Sequence, residues 1–459
     1  MKKNLNIVYL NGAEGIVKRD AASSGGGGSS SGNNGVKWTG HADVEGLKAI
    51  GWDDEDIAYY QANGVNWNEE DDQYHKVPED NIALYGVLTA YNISTYKDRI
   101  VYLPKIDTSG INSMNNMFNN CCSLIFIPKL NTTNVTDMAY MFKNCYSLIS
   151  VPHLDTSNVI NISYMFYNCY SLITIPHLDT SGVTNMMYLF YYCFRLMSIP
   201  QLDTSNVTNM SNMFNYCCSL VSIPRLNTSN VINMNKMFYY CFRLMSIPQL
   251  DTSNVTDMSN MFCYCKSITS IPYLDTSNVT NMANMFNECN SITSIPQLNT
   301  SNVTNMSQMF YNCYSLIHIP KLNTSNVIYM NSMFYFCSSL LTIFQLDTSN
   351  VTNTSNMFYC CFSITSIPQL DISSVTNINN MFYNCYSVQI SNLKGLKLAL
   401  DVSKTFLLSK HSLLYIINNE SATSAITIKL SSYCYTKYST DVDVVATLNN
   451  HPNISLASA

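Results

Sequence analysis

Residues 199–222 read IPQLDTSNVTNMSNMFNYCCSLVS, and this pattern recurs along most of the chain at intervals of 24 residues. A phenylalanine column runs from Phe118 to Phe382, and a proline column is broken only by Phe344. A cysteine marks every copy, at Cys121, Cys145, Cys169, Cys193, Cys217, Cys241, Cys265, Cys289, Cys313, Cys337, Cys361 and Cys385. Because no insertion or deletion interrupts the twelve copies, the period predicts a continuous stack in which each copy forms one turn, here called a coil.

The spacing of apolar residues changes along one copy. Leu220, Ile223 and Leu226 suit a short strand that proline interrupts at its end. Residues 203–206 are turn formers, and the apolar residues after them recur at intervals of three and four, as on one helical face. These are Val207, Met210, Met213, Phe214 and Cys217. We therefore predict an α/β solenoid, a leucine-rich-repeat-like stack of twelve 24-residue units with a sheet roughly 50 Å long.

The repeated motif also points to a known family. The string DTSNVTNMSxMFxxCxSL, at residues 203–220, closely resembles the BspA-like leucine-rich repeats, also described as DUF285. The resemblance covers about residues 100–392. Such repeats occur in bacterial surface proteins and adhesins, and in tail-associated proteins of gut Bacteroides (crAss-like) phages. The resemblance implies extracellular recognition without naming a ligand.

The composition narrows the classes of partner. Only 12% of residues are charged, and the formal net charge is −6. Nucleic acid is not expected as a partner because phosphate binding needs a basic stripe. No apolar run is long enough to span a bilayer, so membrane insertion is not expected either. The apolar residues 7–10 are too short for a signal peptide, which predicts synthesis in a cytoplasm without export by the general secretory route.

The chain divides into five predicted segments. They are an N-terminal docking peptide (1–20), a flexible Gly/Ser linker (21–36), a small acidic module that contains tryptophan (37–99), the BspA-like repeats (100–391) and a C-terminal capping domain (392–459). Within the acidic module, residues 53–56 suit the first turn of a helix, and residues 69–72 form a second acidic cluster. Calcium is an alternative role for these clusters, although they lack the spacing of an EF-hand loop.

The cysteines are expected to be buried thiols that act as small apolar residues. Some disulfides remain an alternative, because equivalent cysteines in a stack would lie about 5 Å apart. Paired C-x-x-C zinc spacing is absent from the sequence. The off-column cysteines are expected to be more exposed; these are Cys122, Cys218, Cys263, Cys360 and Cys434.

The aspartates of one column raise the question of catalysis. Asp155, Asp179 and Asp203 should stack at a spacing near that of a retaining glycosidase pair. Other copies carry asparagine there, which cannot replace a catalytic acid but can cap a turn. The histidines His153 and His177 have no serine or cysteine partner in the repeat pattern. We therefore predict neither an enzyme, nor a bound cofactor, nor a metal site.

The variable positions beside the column cysteines are rich in tyrosine. Tyrosine gives rigid contacts in recognition surfaces, although a tyrosine ladder that only stabilises the stack is an equal alternative. The candidate binding surface comprises Tyr167, Tyr170, Tyr191, Tyr192, Tyr216, Tyr239, Tyr240, Tyr264, Tyr311 and Tyr314. Together with the family resemblance, it predicts a non-enzymatic structural or binding protein of a phage virion, located in the tail and contacting the host surface. The alternative is a bacterial cell-surface adhesin of the same repeat family.

The partners follow from this hypothesis. The N-terminal segment is expected to bind other tail proteins of the virion. The repeats are expected to bind a glycan or a protein of the bacterial surface.

Overall fold

The structure is a computed structural model that describes residues 6–7, 16–17, 44–62, 79–390, 393–405 and 408–459. The chain forms two units, Met1–Trp38 and Thr39–Ala459. In the first unit, strand β1 (Asn6–Ile7) pairs antiparallel with strand β2 (Ile16–Val17). Most of the proposed docking peptide and all of the proposed linker lie outside the described residues, as does the second acidic cluster.

Each coil of the repeat is built from consecutive turns and not from a strand and a helix. Within one coil, the Met213 N–H donates to the Met210 carbonyl (3.2 Å) and the Cys217 N–H to the Phe214 carbonyl (3.0 Å). The intervening N–H groups donate to the next coil, as the Phe214 N–H does to the Met237 carbonyl (3.0 Å). The predicted helix is therefore wrong, and the α part of the α/β assignment fails in the repeats. A spacing of three and four fits these turns as well as it fits a helix.

Two residues of every coil have a left-handed backbone. In the coil quoted above they are Asn212 (φ 58°) and Tyr216 (φ 60°), and the same two positions have positive φ from Asn116 to Asn384. A positive φ at the third residue of a four-residue turn is the type II arrangement. Asparagine tolerates this backbone better than other non-glycine residues do, and it is the most frequent residue at these positions.

The apolar residues of each coil fill one continuous core. The side chains of Val207, Met210, Met213, Phe214 and Cys217 are completely buried. The twelve phenylalanines of the column stack with ring centroids 5.3 to 5.8 Å apart and nearly parallel planes. The expected alignment of equivalent side chains is thus confirmed, and the buried core continues from Leu84 to Ile454.

Regular strands are shorter than the sequence predicts. Between residues 79 and 390, single parallel bridges join most coils, as at Asn209 and Asn233. Only near the end of the repeats do two-residue parallel pairs form: β3 (Ser366–Ile367) with β5 (Gln389–Ile390), and β4 (Leu370–Asp371) with β6 (Leu393–Lys394). The strands within each coil are short because proline follows the strand residues and cannot donate a ladder hydrogen bond. Across the stack, however, one column of single parallel bridges continues from Ser113 to Asn377.

Short helices precede the repeats and contact their first coils. They are α1 (Val44–Ala49), α2 (Asp54–Ala62), α3 (Glu79–Leu84) and α4 (Ile93–Tyr96). The prediction that the acidic residues 53–56 begin a helix is confirmed, since α2 begins at Asp54. Three aromatic side chains donate to carbonyls at the same position of three successive coils: Trp52 to Leu103 (2.9 Å), Tyr60 to Ile127 (2.7 Å) and Tyr59 to Val151 (3.0 Å).

A parallel three-stranded sheet with helices follows the repeats. Its strands are β7 (Leu400–Asp401), β8 (Ile426–Leu430) and β9 (Ile454–Ser458), in that order. The helices are α5 (Lys410–Asn418), α6 (Ser432–Tyr438) and α7 (Val442–Asn450). Ser409 caps α5 by accepting the Ser412 N–H, and Leu413 and Ile416 of α5 belong to the continuous core. In the described part of the chain, no helix is both long and apolar enough to cross a membrane.

Candidate binding surface

Eight of the ten candidate tyrosines lie in one connected array of aromatic rings. Because the coils are in register, side chains from equivalent positions stack: Tyr192, Tyr216, Tyr240 and Tyr264 have ring centroids 4.2, 4.3 and 4.0 Å apart. Tyr167 and Tyr191 form a second stack at 4.6 Å. Tyrosines that lie 24 residues apart in the sequence are therefore in contact in the structure.

The array, here called the tyrosine flank, is wider than the sequence indicated. Tyr191 contacts Tyr192 (4.5 Å) and Tyr188 (5.2 Å), which links the stacks to an unpredicted ladder of Tyr140, Tyr164 and Tyr188. The flank comprises Tyr140, Tyr146, Tyr164, Tyr167, Tyr170, Tyr188, Tyr191, Tyr192, Phe194, Tyr216, Tyr239, Tyr240, Phe242 and Tyr264. The sequence does contain a signal for this ladder, because tyrosine recurs every 24 residues from Tyr140 to Tyr188.

The other two candidates belong to a separate cluster. Tyr311 begins a stack with Tyr335, Tyr359 and Tyr383, at 4.4, 4.6 and 4.8 Å, and Tyr314 contacts Phe336 at 6.4 Å. Asn284, Asn287 and Glu288 occupy the equivalent positions of the intervening coil. The ten candidates thus form two surfaces and not one.

The rings of the flank turn their edges outward. Neighbouring planes in the Tyr192 to Tyr264 stack differ by 10 to 19°, so each inner ring is covered on both faces by its neighbours. The candidate tyrosines of the flank are half-buried. Such a surface offers hydroxyl groups and ring edges to a ligand, and ring faces only where a stack ends.

Burial changes the acidity of the phenols. Burial, followed by the charges of neighbouring tyrosines, raises the pKa of Tyr170 to about 12. Burial likewise raises the pKa of Tyr239 to about 12, and the pKa values of Tyr191, Tyr216 and Tyr240 are raised as well. These phenols therefore remain neutral at physiological pH, where they take part in hydrogen bonds as hydroxyls.

Three lysines lie against aromatic rings of the flank. The Lys143 Nζ is 5.2 Å from the centroid of Tyr140 and 5.5 Å from that of Tyr167. The Lys266 Nζ is 5.4 Å from the Tyr264 ring, and the Lys236 Nζ is 5.9 Å from the Tyr239 ring. These distances are within the range of cation–π attraction.

A groove follows the residues around the proline column. It has a volume of about 1000 Å³ and is lined by side chains such as His177, Gln201, Arg225, Gln249 and Tyr273. The glutamines there cross-link the coils, since each donates from Nε2 to a carbonyl of the next coil; for Gln249 this is the Tyr273 carbonyl at 2.7 Å. A second groove of about 550 Å³ is lined by the equivalent residues of earlier coils and by Asp53 and Glu55.

The column aspartates cap turns. Asp179 Oδ1 accepts the Ser181 N–H (3.0 Å) and hydroxyl (2.7 Å), and Asn227 makes the same pair of bonds with Ser229. The backbone N–H of Ser181 and its hydroxyl hold the pKa of Asp179 below its usual value. The hydrogen bonds from Ser157 and Ser205 likewise lower the pKa values of Asp155 and Asp203. An exposed carboxyl with a lowered pKa stays ionised, so it does not suit the general-acid role of a glycosidase pair.

The prediction of buried thiols is confirmed for the column cysteines, all of which are buried and free. The Sγ of each from Cys145 to Cys385 donates to the phenylalanine carbonyl 27 residues earlier, as Cys217 does to Phe190 (3.2 Å). The exposure predicted for the off-column cysteines is wrong for Cys263, Cys360 and Cys434, which are buried, whereas Cys122 and Cys218 are half-buried. Cys263 and Cys360 stand where other coils carry larger side chains, so their small thiols lie beneath their neighbours.

The acidic residues 53–56 are paired with lysines. Asp56 is buried and lies 2.7 Å from Lys105, which also bonds Asp53, and Glu55 lies 2.9 Å from Lys129. Among the described residues, no group of three or more histidine, cysteine or acidic side chains is placed to hold a metal ion. His153, His177 and His318 are all exposed.

The coils stack in register, the same core residue types recur in each coil, and the outer positions vary. These features define a repeat protein. The chain belongs to the family described as Mycoplasma protein of unknown function, DUF285, which matches residues 90–196, 170–267, 242–340 and 292–396, more than half of its length. No curated protein matches the chain. The description of this family names no catalytic activity.

The chain is also similar to solved leucine-rich-repeat structures. The T. pallidum leucine-rich repeat protein is 19% identical over 42% of this chain and 76% of its own, with a TM-score of 0.26. An internalin of Listeria monocytogenes is 10% identical over 90% of this chain and 94% of its own, with a TM-score of 0.24.

Proposed function

We propose that the protein is a non-enzymatic binding protein of a phage virion, carried on the tail and attaching to the bacterial surface through the tyrosine flank. The observation that carries the proposal is the connection of separate tyrosine columns into one surface, with neighbouring rings 4.0 to 4.8 Å apart within most stacks. Stacking holds each ring in place, so a ligand loses little affinity to ordering these side chains. The tail location rests on the resemblance of the repeats to phage tail proteins.

The remaining parts of the chain fit this proposal. We infer twelve units, with α1 and α2 covering the first coils and the sheet β7-β8-β9 with its helices closing the other end. A repeat stack needs such ends because an open coil exposes core side chains and backbone groups. The N-terminal segment would bind other tail proteins, and the protein would be made in the host cytoplasm and assembled into the virion.

A cell-binding experiment tests the role of the flank. The variant Tyr192→Phe/Tyr216→Phe/Tyr240→Phe removes three hydroxyls and keeps the ring stack. We expect its affinity for susceptible Bacteroides cells to fall by about tenfold, roughly the effect of losing one or two hydrogen bonds. The matched control Tyr273→Phe/Tyr329→Phe/Tyr433→Phe changes exposed tyrosines elsewhere and should bind as the parent does. Equal binding by all three proteins would contradict the proposal.

The location is tested separately. Mass spectra of purified virions should contain the chain, and antibodies to it should label the tail. The alternative, a bacterial adhesin of the same repeat family, predicts instead that the chain is found in the envelope of uninfected cells.

A further inference from the structure

Basic side chains lie at the tyrosine flank although the whole chain carries a formal charge of −6. Lys143, Lys236 and Lys266 lie against its rings at 5.2 to 5.9 Å. Arg195 and Arg243 are exposed and directly follow Phe194 and Phe242 of the flank. Of the three lysines, Lys266 pairs only weakly, with Glu288 at 4.0 Å, and neither Lys143 nor Lys236 forms an ion pair with any residue that the structure describes.

The geometry of the rings adds to this charge. An aromatic ring is electronegative on its faces and electropositive at its edge. Because the faces are covered within each stack, the flank exposes electropositive edges between its lysines. Lys143 lies against Tyr140, the first ring of its ladder, and Lys266 lies against Tyr264, the last ring of another.

We propose that the tyrosine flank binds an extended anionic polysaccharide, a sugar polymer that carries carboxylates. This inference rests on the proposed function and names the class of its ligand. Ammonium groups and ring edges attract carboxylates, and hydroxyls exchange hydrogen bonds with sugar hydroxyls. From Tyr140 to Tyr264 the flank covers six coils, and the five steps between them span roughly 25 Å at the spacing of parallel strands, so the ligand must be a chain and not a single sugar.

Two other ligand classes fit the flank less well. Neutral sugars usually pack their apolar faces on open aromatic faces, and the stacks leave few faces open. Single-stranded nucleic acid gains affinity by stacking bases on aromatic rings, which again needs open faces. The groove around the proline column is a poorer site for an anion, because Asp203, Asp251 and Asp275 line it.

The test measures binding of the full chain to three probes by biolayer interferometry. The probes are sodium alginate (carboxylated), dextran (neutral) and oligothymidylate (a single-stranded nucleic acid). We expect alginate to bind and the other two to bind at least about tenfold more weakly. Because exposed charges are screened by salt, raising the NaCl concentration from about 0.05 to about 0.5 M should weaken alginate binding.

The variant Lys143→Gln/Lys236→Gln/Lys266→Gln removes the three ring-bound charges. We expect about a tenfold loss of alginate affinity, since each of these partly exposed charges contributes little and three act together. The control Lys321→Gln/Lys397→Gln/Lys404→Gln removes the same net charge from exposed lysines outside the flank and should bind as the parent does. Circular dichroism of both variants shows whether they are folded.

The outcomes separate this inference from the proposed function. No binding to alginate, equal losses in both lysine variants, or tighter binding to oligothymidylate would overturn the inference. If the flank lysine variant still binds Bacteroides cells fully while the triple Tyr→Phe variant does not, the ligand is not anionic but the proposed function stands. If the parent chain binds no cells, the proposed function fails whatever alginate does.

Discussion

At the scale of single residues, the capping position of the repeat accepts either aspartate or asparagine. Asp203 accepts the Ser205 N–H at 2.9 Å, and Asn227 in the next coil accepts the Ser229 N–H at 3.2 Å. The carbonyl-type oxygen common to both side chains is what the turn needs. The charge of the aspartate is therefore dispensable for the fold.

Replacing the carboxylates tests this point. Asp155→Asn/Asp179→Asn/Asp203→Asn should leave the thermal midpoint at pH 7 nearly unchanged, whereas the triple alanine variant should be less stable by about 1 kcal/mol for each lost cap. The pKa values of these aspartates are lowered in the folded state, so their stabilisation is present above the unfolded value of about 4 and is lost as pH falls. The asparagine variant should thus lose less stability in acid than the parent. A midpoint that drops at pH 7 in the asparagine variant would show that the charge itself matters.

The buried thiols give a second dependence on pH. Complete burial raises the pKa values of Cys217 and Cys241 above their usual range, so both remain protonated in the folded chain. In the unfolded chain they ionise near pH 8.5. The folded state then binds more protons, and its stability falls as pH rises above this value.

Removing two thiols should reduce this alkaline loss. Cys217→Ala/Cys241→Ala should be less stable than the parent at pH 7, because each change leaves a small gap and removes a weak hydrogen bond. Between pH 9 and 10, however, its urea midpoint should fall less steeply, since up to two fewer protons are released on unfolding. Parallel curves for parent and variant would mean that the column thiols do not titrate in the unfolded chain.

At the scale of elements, α2 contacts backbone groups that the repeats leave unpaired. The Tyr60 hydroxyl donates to the Ile127 carbonyl (2.7 Å) and accepts the Ile127 N–H (3.3 Å), so it satisfies both backbone groups of one buried residue. Asp56 of the same helix accepts the Lys129 N–H at 2.6 Å. The helix is therefore joined to the coils by hydrogen bonds to the backbone as well as by its ion pairs with Lys105 and Lys129.

Loss of one hydroxyl should loosen this junction. Tyr60→Phe leaves the Ile127 N–H and carbonyl buried without a partner, at a cost of about 1–3 kcal/mol. We expect faster hydrogen exchange at the Ile127 amide and in α2, with no change in the central coils. Tyr91→Phe, at a tyrosine that is 81% exposed, is the control and should exchange as the parent does. Unchanged protection at Ile127 in Tyr60→Phe would argue against the junction.

At the scale of the whole molecule, the period of 24 residues matters more than the number of coils. Each coil bonds mainly to its two neighbours, as shown by the N–H groups of Met210 and Phe214, which donate to the next coil. In such a stack, the stability is approximately a sum over coils and their interfaces. Removal of one whole coil should therefore be tolerated, whereas removal of part of one should not.

Two deletions compare these cases. Deleting residues 279–302 removes 24 residues between the two aromatic clusters and rejoins equivalent positions, so the chain should fold with a slightly lower thermal midpoint. Deleting residues 279–290 removes half as many and places Ser294, Gln297 and Ser301 where the core needs methionine and cysteine. We expect this shorter deletion to aggregate or unfold. Comparable folding of both chains by circular dichroism and size-exclusion chromatography would contradict the stacked register.

The sequence by itself determined the period, the buried columns and the alignment of phenylalanines, because a repeat without insertions places like residues together. Only the tertiary structure decided between helices and turns. In the coil of Phe214, alternate N–H groups donate to carbonyls 23 residues ahead, and this choice of partner leaves no trace in the local spacing. The same holds for the tyrosine flank: contacts such as that between Tyr188 and Tyr191 join different columns, and they depend on how each turn directs its side chains.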